Sequence, residues 1–301
     1  MYQRTGYNIC ESTQRLILDL INLCYCFTTH LCINTRDKIM KPTLFLFLLS
    51  VFNIFNNVHA SDTLSLPSVI KKVQPSVVGV GTLTPIEGNL AQLKGTGFVI
   101  GGGRYIATNY HVVSETLSQD KIQKRVVFVG SGRKFELHEV EIIDFDPVFD
   151  LAILKILTDK VVLPSKFTFR KTESMVEPGE EIAFTGFPIG SILGLYPATH
   201  KGIIAAVTPD ATPASSSSQL NSKLIARLQQ KFDVYQLDAT AFPGNSGSAL
   251  YVANSGEVIG IINKVMVQGG KEYALSSPSG ITYAIPVKHL RNLATRNNID
   301  L

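Results

Sequence analysis

Ala241-Phe242-Pro243-Gly244-Asn245-Ser246-Gly247-Ser248-Ala249-Leu250 is the stretch on which the reading of this 301-residue chain turns. Gly244 and Gly247 carry no Cβ, so the backbone around Ser246 can turn sharply and bring N–H groups close to a reacting carbonyl. A serine hydroxyl becomes a nucleophile only when a base takes its proton and donors meet the oxyanion that forms. A tight loop of small residues suits both needs. The loop runs into Ala249-Leu250-Tyr251-Val252, an apolar strand that would hold it rigid. Taken alone, Gly-Asn-Ser-Gly is also ordinary turn chemistry, so the reading depends on partners elsewhere.

Two upstream segments supply them. Gly95-Thr96-Gly97-Phe98-Val99-Ile100 and Tyr105-Ile106-Ala107-Thr108-Asn109 flank a glycine turn, a hairpin pattern, and His111 closes the second run, where a strand or short turn would fix its ring. In Asp144-Phe145-Asp146-Pro147-Val148-Phe149-Asp150-Leu151-Ala152-Ile153-Leu154-Lys155-Ile156 an acid stands at the mouth of a nearly continuous apolar strand. A largely buried carboxylate needs a hydrogen-bonded partner, and an imidazole N–H is one. Nucleophile, base and an acid that orients the base make one catalytic unit.

On these residues the chain resembles the chymotrypsin-fold serine proteases, and within them the HtrA/Deg type. The order His111, Asp150, Ser246 is that clan's order, whereas other serine hydrolases use different orders. Further similar stretches are Thr108–Val113, Asp150–Ile156, Gly202-Ile203-Ile204, Gln236-Leu237-Asp238-Ala239, Gly256–Ile261 and Tyr283-Ala284-Ile285-Pro286, which together span roughly residues 69 to 290. The resemblance implies that Ser246 attacks a peptide carbonyl, His111 relays the proton, and Asp150 holds the imidazole tautomer. It implies an oxyanion hole from the N–H groups of Gly244 and Ser246, with Asn245 beside them. Polypeptides are the implied substrates, cleaved through an acyl-enzyme, with no cofactor and no metal. Thr240 would line the base of the primary pocket, with Ile261, Ile262, Asn263 and Lys264 on the neighbouring strand. These suggest small or medium apolar side chains, although the Lys264 ammonium would admit an acidic one.

The chain also departs from the family. After Ser246 it reads Gly247-Ser248-Ala249-Leu250 where HtrA-type loops usually continue Gly-Gly-Pro-Leu, a variation shared with glutamyl endopeptidases. The pocket strand Ile261-Ile262-Asn263-Lys264 lacks the histidine those enzymes place there. Leu301 follows soon after the protease-like region, which reads as a protease domain without PDZ domains. Competing bases are His138, His200 and His289, and competing acids are Asp144 and Asp146; none sits in a matching context. A secreted binding or scaffold protein with a weakly active protease fold is the alternative function.

Net charge is +4, and it falls to +2 without residues 1–60, so no strong field points to nucleic acid or to a membrane surface. All four cysteines, Cys10, Cys24, Cys26 and Cys32, precede Met40. Met40-Lys41-Pro42-Thr43, the apolar run Leu44–Phe52 and Val58-His59-Ala60 make a secretory leader with cleavage after Ala60. Residues 1–39 then read as an upstream extension and 61–301 as the mature domain. An uncleaved anchor over 44–58 is the competing reading, but that segment is shorter than the about 20 apolar residues a span needs and holds Asn53, Asn56 and Asn57. A cysteine-free exported chain fits the periplasm or the exterior of a bacterium. HtrA-type enzymes commonly trimerise through their N-terminal segment, so the resemblance also allows a homo-oligomer.

Short strands separated by turn residues predict an all-β architecture, two six-stranded antiparallel barrels closed by short terminal helices. The first barrel takes about 69–165, with strands at 76–83, 97–100, 105–109, 125–129, 134–144 and 151–156. The second takes about 174–290, with strands at 181–187, 196–207, 234–238, 249–251, 257–264 and 280–286. Helices are predicted at 64–75 and 287–297. The long loops 208–233 and 265–280 flank the site and read as gating segments or tolerated insertions.

Overall fold

Leu151-Ala152-Ile153-Leu154 is apolar at every position because both its faces are covered. In the computed structural model, which describes residues 64–189, 194–210, 232–265 and 280–301, Leu151 and Ile153 enter a core shared by two barrels. Ala152 and Leu154 enter the interior of the first barrel. Successive strand residues point to opposite faces, so a strand with a core on each side carries no polar alternation. On the pocket strand, Ile261 lies in the shared core and Ile262 in the interior of the second barrel.

The first barrel consists of β1 (Val77–Thr84), β2 (Leu90–Ile100), β3 (Tyr105–Asn109), β4 (Lys124–Ser131), β5 (Lys134–Asp146) and β6 (Leu151–Ile156). Its order is β1-β2-β3-β6-β5-β4, and β4 closes it by pairing with β1. A short connection carries β7 (Thr168–Phe169) alongside the second set. That set comprises β8 (Glu181–Gly186), β9 (Ala198–Pro209), β10 (Asp233–Asp238), β11 (Ala249–Val252), β12 (Glu257–Val265) and β13 (Ile281–Pro286). It runs β11-β8-β9-β10-β13-β12 and closes through β11–β12, with β7 added in parallel on β12. The two six-stranded barrels expected from the sequence are present.

Among the described residues three α-helices accompany the strands: α1 (Leu66–Val73), α2 (Tyr110–Val113) and α3 (Val287–Arg296). α1 starts with proline at its first turn, buries Val69 and Val73, and lies over Gly256 of the second barrel before the chain enters the first. α3 follows the last strand of the second barrel. Just beyond its buried Leu290 and Leu293, Arg296 and Asn297 bond Asp144 of β5 in the first barrel at 2.8 and 2.7 Å.

Two elements differ from expectation. β2 begins at Leu90 and not at Gly97, because Leu90–Leu93 pair with Gly81–Thr84 beyond a bulge between Val80 and Gly81. His111 lies in a single helical turn directly after β3. Residues 1–60, most of the two long loops and the side chain of Lys264 lie outside the described residues, and with them the leader and the gating segments.

Candidate active site

The barrels bring His111, Asp150 and Ser246 to one place from three elements: α2, the turn before β6, and the loop before β11. Asp150 adopts a left-handed backbone, φ 52°, which aspartate tolerates better than most side chains. That turn aims both its carboxylate and its carbonyl at the His111 segment. Asp150 Oδ1 accepts the His111 N–H at 2.8 Å, and Oδ2 lies 2.6 Å from His111 Nδ1. The Asp150 carbonyl accepts the Tyr110 N–H and the Asn109 side-chain amide, both at 3.0 Å. An ionised carboxylate makes Nδ1–H the donor and leaves Nε2 free as a base. The acid is shielded, its side chain 16% exposed, while the imidazole is 48% exposed and open to an incoming chain.

Asn263 comes from β12. The register of β12 against β13 slips between Ile262 and Lys264, so Asn263 is the extra residue of a β-bulge. Released from the ladder, it donates its amide to Asp150 Oδ2 at 2.6 Å and accepts the Ser246 hydroxyl on its carbonyl at 3.2 Å. Among the described residues this is the hydrogen bond that Ser246 Oγ makes, so the hydroxyl points to Asn263 and not to the His111 ring.

The nucleophile loop is nearly saturated with backbone hydrogen bonds. Pro243 O accepts from Ile189 N–H at 2.8 Å, Asn245 O from Ser248 N–H at 3.0 Å, and Ser246 O from Thr96 N–H at 2.9 Å. Gly244 O accepts from the Thr96 hydroxyl at 2.6 Å. Gly247 N–H donates to Ile262 O at 2.8 Å. The Asn245 N–H, expected beside the oxyanion, is committed to Phe242 O at 3.0 Å, so this donor drops out of the expected set. From Pro243 to Ser246 the two N–H groups without an acceptor among the described residues are those of Gly244 and Ser246. Gly247 is obligatory here: its φ is +88°, and a Cβ would lie 2.1 Å from Thr96 O.

The expected pocket wall is corrected in part. Ile261 and Ile262 are buried in cores at 0% and 1% exposure, on opposite faces of β12, so neither side chain faces an open pocket. Asn263 turns to Asp150 instead. Thr240 is half-buried behind the loop.

The competing groups have other partners. His138 lies 3.4 Å from Glu136. Asp144 is held by Arg296 and Asn297, which keeps its carboxyl below the usual range. Asp146 Oδ1 accepts the N–H groups of Val148 and Phe149 and so shapes the turn into Asp150. His200 stacks on Phe184 at 4.9 Å and faces the Asn245 amide at 3.3 Å, and burial pushes its pKa down. His289 stacks on Phe149 at 3.8 Å. Sequence reasoning missed Thr96 and its neighbour Thr108, whose hydroxyl donates to Thr96 O at 2.7 Å. Their one sequence trace is a polar residue in each of two otherwise apolar runs.

A family model described as the trypsin-like peptidase domain matches residues 95–261. The chain is 28% identical over 268 residues to the serine protease Do-like HtrA of Lactococcus lactis subsp. cremoris, covering 81% of this chain and 60% of that protein. It is 31% identical over 194 residues to a probable periplasmic serine endoprotease DegP-like of Chlamydia trachomatis, covering 64% of this chain and 31% of that protein. The chain thus spans only part of the length of these relatives. The active form of the Rv3671c protease from M. tuberculosis superposes with a TM-score of 0.55 at 20% identity, covering 77% of this chain and 85% of that one, a likeness of fold.

Proposed function

This chain belongs to the trypsin-like peptidase domain family, and on that premise we propose that it is a serine endopeptidase in which Ser246, His111 and Asp150 form the catalytic triad. The carrying observation is the loop's hydrogen-bond pattern: only the Gly244 and Ser246 N–H groups are left to receive an oxyanion. A peptide bond is planar and trans, so its N–H points opposite to its C=O. Pinning the carbonyls of Pro243 and Asn245 therefore fixes the direction of the two free N–H groups. Ser246 Oγ leaves the Asn263 carbonyl, passes its proton to His111 Nε2, and bonds to the substrate carbonyl carbon. The carbonyl oxygen becomes an oxyanion held by the two amides. His111 then returns the proton to the leaving amine, and an acyl-enzyme remains for water to cleave. Asp150 keeps the tautomer and steadies the imidazolium.

The leader reading at Met40–Ala60 and the periplasmic location in the name of the DegP-like relative support an exported enzyme, with 61–301 as the mature domain, acting on unfolded envelope polypeptides. Among the described residues no helix is long and apolar enough to cross a membrane. One observation favours the alternative of a weakly active binding or scaffold protein: the Ser246 hydroxyl rests on Asn263 O.

Incubation of the full chain with a fluorophosphonate separates the two. Stoichiometric labelling of wild type, with none of Ser246→Ala, supports the peptidase. An unlabelled wild type selects the binding protein.

A further inference from the structure

Thr96 belongs to β2 of the first barrel, yet it grips the nucleophile loop of the second at two points. Its N–H holds Ser246 O at 2.9 Å, and its hydroxyl donates to Gly244 O at 2.6 Å. The same hydroxyl accepts the Phe187 N–H at 3.0 Å, and the Thr96 carbonyl accepts the Thr108 hydroxyl at 2.7 Å. The residue is fully buried, so Gly244 O and the Phe187 N–H would lose their partner without compensation from water if the hydroxyl went.

We infer that Thr96 is a positioning residue for catalysis: its hydroxyl latches the Gly244–Asn245 peptide, the link between the two peptides that carry the Gly244 and Ser246 N–H groups, and so keeps those two donors set for one oxyanion. Gly244 is the loop's loose joint. Its φ is +103°, a region open to glycine and few other residues, so little but hydrogen bonding holds the peptides on either side of it. On its upstream side the Pro243 carbonyl is tied to Ile189 N–H. On its downstream side the Gly244–Asn245 peptide is tied through its carbonyl to the Thr96 hydroxyl and through the Asn245 N–H to Phe242 O. Release of the hydroxyl tie leaves this peptide held by the Asn245 N–H alone, so the link between the two donor peptides loosens and the hole loses its shape without moving His111 or Asp150. The latch also couples the two barrels: the strand that leads through a short turn to β3 and His111 sets the shape of the loop that carries Ser246.

This inference rests on the assignment of Ser246 as nucleophile, and the test keeps the two apart. The rate of fluorophosphonate labelling is measured for the full-length wild type, Thr96→Val and Thr96→Ser, each well below its melting temperature. In the reaction the Ser246 Oγ–P bond forms, the P–F bond breaks, fluoride leaves and the hydroxyl proton passes to His111, while the phosphoryl oxygen occupies the hole. Thr96→Val keeps the shape of threonine and loses the hydroxyl. Its maximal labelling rate is expected to fall roughly 10- to 100-fold with little change in half-saturating probe concentration. Thr96→Ser keeps the hydroxyl and is expected to label within about threefold of wild type. Should Thr96→Val not fold, Thr96→Ala carries the same comparison. Labelling of the hydroxyl-free variant at the wild-type rate overturns the latch. So does equal slowing of Thr96→Ser, since the methyl group and not the hydroxyl would then be what matters. A wild-type chain that does not react overturns the assignment of Ser246, and the latch with it.

Discussion

Asn263 donates its amide to the same Asp150 oxygen that faces the His111 ring, and both distances are 2.6 Å. The acid is thus held from the second barrel while it orients a base in the first. Asn263→Ala removes that donor and leaves Oδ2 with the imidazole alone. Turnover of a peptide substrate is expected to fall roughly tenfold with KM little changed, as for loss of one hydrogen bond to a charged group. Asn263→Asp sets a second carboxylate against Asp150 and is expected to be slower still. Steady-state kinetics of the two variants checks the order, and an Asp variant faster than the Ala variant contradicts it.

Ser246→Ala and His111→Ala are each expected to lower turnover by several orders of magnitude, roughly 10³-fold or more, with the melting temperature close to wild type. Both act in one unit, so the double variant is expected to be scarcely slower than either single one. Additive losses would show that the two residues do not share a step.

Acid stability turns on His289. Its ring stacks on Phe149 at 3.8 Å and meets Phe232 edge-on at 5.4 Å, and burial, aided by Lys288, pushes its pKa down from 6.5 to about 4. The unfolded chain takes up this proton near pH 6.5, the folded chain only near 4. Stability therefore declines as pH falls through that window and is unaffected above it. Thermal melts of wild type between pH 7 and 4 are expected to show the decline, and His289→Leu is expected to flatten it. An equal slope in the variant assigns the acid sensitivity to other groups.

Gly247→Ala is expected to destabilise the protein by more than about 2 kcal/mol, since it adds backbone strain at φ +88° and drives a methyl into Thr96 O. Urea unfolding measures this. A loss below about 0.5 kcal/mol would mean that the loop and β2 separate more easily than their hydrogen bonds suggest.

The barrels and the meeting of His111, Asp150 and Ser246 were legible for different reasons. β6 and β12 declared themselves by unbroken apolar runs, which a chain needs when cores lie on both sides of a strand. Asp150 stood out as an acid beside such a run. Asn263 was misread as pocket wall because β12 alternation places it on the substrate side, and only the bulge at Ile262–Lys264 turns it to Asp150. Ile261 and Ile262 look like pocket residues on a strand with one exposed face, whereas this strand has none there. Thr96 left no periodic trace, since its partners are backbone atoms more than 90 residues away, at Phe187 and Gly244. Leu90–Leu93 escaped notice because Leu90 and Gln92 face solvent and Ala91 and Leu93 are only half-buried against the core.

α1 precedes the first barrel but lies on the second, and α3 leaves the second barrel while the residues at its end bond the first. Each barrel is therefore tied to its neighbour by the other's end of the chain. Rotation of one barrel against the other would have to break these contacts, which opposes opening of the cleft as a hinge. A nick in the segment between β6 and β8 would leave two fragments still clasped together. The barrels are thus expected to melt in one cooperative step, and a fragment holding the first barrel alone would lack the seat that α1 takes beside Gly256.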